Sequence, residues 1–150
     1  MSDIKSPEER SRNMAKIKSR DTKPEEWLRK RLHSRGYRYR KNVDYIVGHP
    51  DAYLARYQTA VFVHGCFWHR HRNCKYAYTP KSHTDFWRRK FDQNIARDEI
   101  VMNELKKQRI KELIVWECTI KRMMKSEDFE AFVLQEIEFF LHSKEMYLEL

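Results

Sequence analysis

Leu113-Ile114-Val115-Trp116 is a run of four apolar residues closed by Glu117-Cys118. A short, uninterrupted apolar run of this kind reads as a buried strand at the centre of a sheet. Its neighbours in the chain must then supply the layers that cover it. Upstream, from about Asp85 to Gln108, the spacing of Phe91, Ile95, Met102 and Leu105 predicts one buried face of a long helix. Downstream, Ser126 opens a final helix, taken over 126–150, with Phe129, Phe132, Val133, Ile137, Phe140 and Leu141 on one side.

The N-terminal half carries two capping signatures. Ser6-Pro7-Glu8-Glu9 reads as a capping box with proline at the first helical position, which predicts a helix to about Ser19. Met14 and Ile17 alone make its apolar face, too little to hold it on a core, so this N-terminal arm (1–20) is expected to rest partly on a ligand. Thr22-Lys23-Pro24-Glu25 repeats the signature, and Trp27, Leu28, Leu32 and the stop at Gly36 predict a helix over 23–35. Tyr37 to Arg40, Val43 to Val47, Asp51 to Leu54 and Thr59 to Val63 read as short strands joined by turns. The order ααβββαβα implies an α/β fold, a mixed sheet flanked by helices in one domain over 1–150.

With 31 Lys and Arg against 22 Asp and Glu, the net charge is +9, which makes a polyanion, foremost nucleic acid, the expected partner. An apolar share of 41% with 3 Gly and 4 Pro argues against disorder. The longest uncharged stretch, Tyr57 to Trp68, is broken by Gln58 and His64 and is too short to span a bilayer. Met1 to Arg20 is charged throughout, unlike a secretory signal, so the reducing cytoplasm is the expected compartment.

Three cysteines is an odd number, and in a reducing compartment metal ligation suits them better than disulfides. Cys66, His71 and Cys74, with Cys118 just after the apolar strand, offer four N/S ligands, the set that closes a structural tetrahedral Zn²⁺ site. Buried thiols beside an unrelated histidine are the alternative. Pro50-Asp51 puts a carboxylate at the start of a strand, either capping its own turn or gathered with Glu25, His64 and His69 around Mg²⁺. Phosphodiester cleavage needs such a carboxylate-held cation and a base, and imidazole suits the base role at neutral pH. Phe67, Trp68 and Trp87 are either core aromatics or wedges for base pairs. Lys90, Asn94 and Asp98, four apart, form a polar helix stripe, either solvated or functional.

Together, Arg12-Asn13-Met14, Arg20-Asp21-Thr22-Lys23-Pro24-Glu25, Pro50-Asp51, His64-Gly65-Cys66-Phe67-Trp68-His69, Phe86-Trp87, Lys90, Asn94, Arg97-Asp98 and Val115-Trp116-Glu117-Cys118 resemble the very short patch repair (Vsr) endonucleases over about Arg10 to Arg122. The resemblance implies a restriction-endonuclease-like fold of the PD-(D/E)XK type. It also implies strand-specific nicking of double-stranded DNA, 5′ of the thymine of T:G mismatches left by deamination of 5-methylcytosine. By the same likeness Asp51 and the Val63 carbonyl would hold Mg²⁺, and His69 would be the general base. Glu25, His64, Asn94 and Asp98 would position water. Phe67, Trp68 and Trp87 would intercalate beside the mismatch, with Met14 approaching from the other side and Lys90 contacting the mismatched bases. Cys66, His71, Cys74 and Cys118 would hold structural Zn²⁺. A monomeric, nucleoid-associated prokaryotic enzyme is implied, with mismatch-repair proteins as candidate partners. The chain departs from many relatives at His49, where they carry Arg or Lys, and at Val63, where some carry Thr. Readings that remain beside this one are a zinc-stabilised DNA-binding module without catalysis, and a restriction or homing nuclease acting on paired DNA.

Overall fold

A computed structural model describes residues 21–150. The expected N-terminal helix and Met14 lie outside the described residues. Helix α1 (Lys23–Ser34) starts where the capping box predicts: the Glu25 N–H donates to Thr22 Oγ1 at 3.4 Å, and the Thr22 N–H donates to Glu25 Oε2 at 3.2 Å. Strands β1 (Arg40–Lys41), β2 (Ala52–Leu54) and β3 (Thr59–His64) follow, then α2 (Thr84–Lys107), β4 (Lys111–Trp116), α3 (Glu117–Lys125), α4 (Glu127–His142) and β5 (Tyr147–Glu149).

The five strands lie in the order β1-β2-β3-β4-β5, antiparallel from β1 to β3 and parallel from β3 to β5. All six residues of β4 are buried, as expected of a central strand covered on both faces. One face, with Val61, Leu113 and Val115, packs on Leu28 and Leu32 of α1, Ile120 and Met123 of α3, and Val133 and Ile137 of α4. The other, with Ala60, Phe62, Ile114 and Trp116, packs on Val101 and Leu105 of α2. Among the described residues no helix is long and apolar enough to cross a membrane.

Five expectations are corrected. Of Tyr37 to Arg40 only Arg40 pairs, and Val43 to Val47 is a series of turns rather than a strand. Left-handed backbone at Asn42, Gly48 and His49 (φ 49°, 84° and 50°) bends this stretch so that Val43 and Ile46 drop together onto the α2 face. The buried face of α2 runs through Phe91, Asn94, Val101 and Leu105, while Ile95 and Met102 are exposed. Polar partners for Asn94 and Asp98 turn the helix away from the purely apolar register. Phe132 of α4 is exposed at 54%, off the buried face of that helix.

The chain after Ser126 is not one helix to residue 150. It ends at His142, and β5 adds an edge strand beside β4. Buried Lys111 donates from Nζ to the Phe140 and Ser143 carbonyls, satisfying acceptors that a helix end leaves open. Helix α3, between the central strand and α4, carries no sequence expectation, because its N-cap Trp116 offers no side-chain cap.

Candidate active site and metal cluster

The antiparallel β2–β3 pair sets Asp51 opposite the end of β3. The turn through Gly48 and His49 delivers Pro50 and Asp51, and the Asp51 N–H donates to the Val61 carbonyl at 2.9 Å. The Val63 N–H then donates to Asp51 Oδ2 at 2.6 Å, so the carboxylate continues the strand ladder as an acceptor. Burial and the neighbouring Glu25 carboxylate push the Asp51 carboxyl up to about 7, against the opposing pull of the Val63 N–H, Arg29 and His69. Such crowding of acidic oxygens is the electrostatic setting in which a hard cation is welcome.

His64, the last residue of β3, is 7% exposed, and burial followed by the His69 charge holds its imidazole down to about 3, neutral at physiological pH. His69 stacks on it with ring centroids 3.8 Å apart and planes within 5°. Its Nδ1 lies 2.7 Å from Asp98 Oδ2 on α2, an arrangement that fixes the ring and leaves Nε2 for a proton. Buried Asn94, one turn earlier on α2, donates from Nδ2 to the Trp68 carbonyl at 2.9 Å and pins the loop that carries His69. Glu25, Asp51, Val63, His64, His69 and Asp98 therefore line one cleft of about 600 Å³. Asn94 is outside that lining, and Lys90 is half-buried one turn before Asn94 on α2.

Below the cleft, Cys66, His71, Cys74 and Cys118 bring one ligand atom each to within 4.8 Å of all the others. Tetrahedral Zn–S bonds of about 2.3 Å set sulfurs about 3.8 Å apart, so the donor type and the spacing both fit a closed site. The cysteines form no disulfide, and burial pushes the Cys66 thiol up to about 12, a cost that a bound cation would reverse. The His71 ring stacks on Trp116 at 4.1 Å, which orients it toward Cys118.

Beside the cleft mouth Phe67, Trp68 and Trp87 meet at centroid distances of 5.1–5.9 Å and are each half-buried. They are neither core nor free: Phe67 and Trp87 pack on Phe91, and Trp68 packs on both of them. Arg70 lies over the Phe91 ring at 3.8 Å and donates to the Phe67, Ala77 and Tyr78 carbonyls, which holds the aromatic loop in place.

Two residues of this region have no counterpart in the sequence reading. Glu112 of β4 lines the cleft, is 4% exposed, and leaves Oε1 without a hydrogen-bond partner. Burial, then Asp98 and Glu149, push its carboxyl up to about 7. Arg29 of α1 is 3% exposed and donates to the Asp51 carbonyl. The available signals were a carboxylate directly before the apolar run 113–116, and a cation four residues after Glu25 on the Leu28–Leu32 side of the helix.

Residues 2–76 match the family described as DNA mismatch endonuclease Vsr. A type II nicking enzyme of Neisseria meningitidis serogroup A, V.NmeAIP, is 48% identical over 121 residues, covering 81% of this chain and 86% of that protein. The chain belongs to the Vsr family. Membership makes it a DNA endonuclease. DNA mismatch endonuclease Vsr of Escherichia coli is 35% identical over 128 residues (85% and 81% of the two chains). V.XorIIP of Xanthomonas oryzae, also a type II nicking enzyme, is 38% identical over 120 residues (80% and 88%).

Proposed function

We propose that this Vsr-family chain is a Mg²⁺-dependent, strand-specific nickase that cuts 5′ of the mismatched thymine at T:G mismatches and so initiates very short patch repair. The observation that carries the reading is the shared cleft of Asp51 and the His69–Asp98 pair, with the Phe67–Trp68–Trp87 stack at its mouth.

Asp51 and the Val63 carbonyl are the oxygens that would hold Mg²⁺, which supplies charge neutralisation at the scissile phosphate. His69 takes the proton of the attacking water at Nε2, and Asp98 keeps Nδ1 occupied so that this nitrogen stays directed at the water. As the water oxygen bonds to phosphorus the P–O ester bond breaks and the leaving oxygen takes a proton from solvent, and neutral His64 behind the ring adds no competing charge. Glu25 and Asp98 would position water in the cleft, while Asn94 acts by fixing the Trp68 carbonyl. Phe67, Trp68 and Trp87 wedge beside the mismatch, where stacking is already weak and opening costs less than at a paired step. Lys90 contacts the mismatched bases, and Met14 reaches them from the N-terminal arm. Zn²⁺ in the Cys66–His71–Cys74–Cys118 site is structural. Its ligands tie the loop that carries Phe67 to His69 to the end of the central strand.

The reading carries with it a single endonuclease domain of the restriction-endonuclease-like, PD-(D/E)XK-type fold over 1–150, working as a monomer on DNA in the prokaryotic cytoplasm. Strand-labelled duplexes of one sequence, with T:G or C:G at the same position, test it in the presence of Mg²⁺. A nick confined to the thymine strand of the T:G duplex is expected. Equal cutting of both duplexes would favour a nuclease for paired sites, and no product with any divalent ion would favour a binding module.

A further inference from the structure

Arg29 lies on the buried side of α1, between Leu28 and Leu32, and is 3% exposed. A guanidinium is removed from water at a cost of several kcal/mol unless its N–H groups are engaged, so what they engage is informative. Nη1 donates to the main-chain carbonyl of Asp51 at 3.1 Å, and Nη2 donates to Asp21 Oδ1 at 2.8 Å. The Glu25 carboxylate stands 4.0 Å from Nη1. Asp21 Oδ1 also accepts from Asn42 Nδ2 at 2.9 Å and pairs with Lys41 Nζ at 3.3 Å. One buried fork thus fastens the start of α1, the turn after β1 and the backbone of Asp51 to one another.

We propose that Arg29 is a positioning residue for Asp51: it holds the main chain of the catalytic turn so that the carboxylate meets the Val63 N–H and faces the cleft. The inference rests on Asp51 being the cation-binding carboxylate of the proposed nickase. Planar, two-pronged donation is what the site uses, since one prong takes a carbonyl and the other a carboxylate 22 and 8 residues away in sequence. A lysine keeps the charge and cannot reproduce the fork. Displacement of a reacting group by about 1 Å can cost about a hundredfold in rate, so a slack Asp51 is felt in turnover rather than in DNA affinity.

The test compares wild type, Arg29→Lys and Asp51→Asn as zinc-loaded full chains. Amide hydrogen exchange needs no bound cation and reports the Val63 N–H, whose acceptor is Asp51 Oδ2. In Arg29→Lys the Val63 amide is expected to exchange at least about tenfold faster, with the Val115 amide in the central strand unchanged. Its kcat on a T:G duplex is expected to fall at least about tenfold, with KM within about twofold. Unchanged Val63 exchange, equal acceleration at Val63 and Val115, or wild-type kcat overturns the proposal. If Arg29→Lys does not fold, Asp21→Asn weakens the same fork from its other end, and the same readings apply. Full nicking by Asp51→Asn would remove the reading on which the inference rests. An inactive Asp51→Asn beside a wild-type-like Arg29→Lys overturns the inference alone.

Discussion

His69 Nδ1 lies 2.7 Å from Asp98 Oδ2, which joins the loop that follows β3 to the middle of α2. The pairing fixes which ring nitrogen carries a proton and leaves the other to accept one. Asp98→Asn keeps the side chain's size and removes the charge that stabilises an imidazolium. Single-turnover nicking by Asp98→Asn is expected to fall by about 10²–10⁴, the range for loss of an oriented general base. A rate within about twofold of wild type would contradict this role for the pair.

The Glu112 carboxyl is held up at about 7 by burial and by the nearby Asp98 and Glu149 charges, above its ordinary 4.5. A raised carboxyl pKa means that the folded state keeps the proton more tightly than the unfolded state does. The stability it contributes is full below about pH 4.5 and is lost as pH rises through about 7. Glu112→Gln is therefore expected to be more stable than wild type by about 1–2 kcal/mol at pH 8, and by clearly less at pH 5. Urea denaturation at the two pH values measures it; a gain of the same size at both would refute the titration.

Gly48 has φ 84°, and a Cβ there would sit 2.7 Å from Val101 Cγ1 and 3.0 Å from Phe62 Cε1. Gly36 has φ 92° with nothing within 4 Å of its Cβ position. Backbone strain alone makes Gly36→Ala cost about 1 kcal/mol, whereas Gly48→Ala adds an overlap with the core for a total of about 2–4 kcal/mol. Thermal unfolding of the pair checks the order. Equal losses would mean that α2 yields freely to the turn that delivers Asp51.

Cys118 joins the Cys/His cluster from the first turn of α3, while its three partners come from the loop after β3. A structural zinc contributes about 10–16 kcal/mol of apparent binding, comparable to the whole stability of about 5–15 kcal/mol of a typical domain. Metal analysis is expected to find one Zn²⁺ per chain, and Cys118→Ala is expected to lose folded protein before it loses any specific step. A well-folded, metal-free Cys118→Ala protein would argue that the thiols are merely buried.

Much of this was legible in the residues because the signals were local. The Thr22–Glu25 box, the apolar run 113–116 and the Cys66–His71–Cys74 spacing each announce their structure within a few positions. What was not legible depends on partners distant in sequence. Val43 to Val47 has strand-forming residues, yet left-handed backbone at Asn42, Gly48 and His49 turns it into a bend. Ile95 and Met102 look like core until Asn94 and Asp98 claim the buried side of α2 for Trp68 and His69. β5 exists because β4 offers an edge and Lys111 ends α4, neither of which Tyr147 to Glu149 reveals alone. Among the candidate site residues, Glu25, Asp51, His64 and His69 could be gathered from residue types and Asp98 from its helix stripe, with the resemblance adding their roles, whereas Arg29 and Glu112 became visible only when their burial was known.

The most direct test of the account is nicking of a T:G duplex in Mg²⁺ by Asp51→Ala, measured beside its duplex affinity and its zinc content. The account predicts no product, with affinity within about threefold of wild type and one Zn²⁺ retained. Nicking at the wild-type rate by that folded, DNA-bound variant would contradict it.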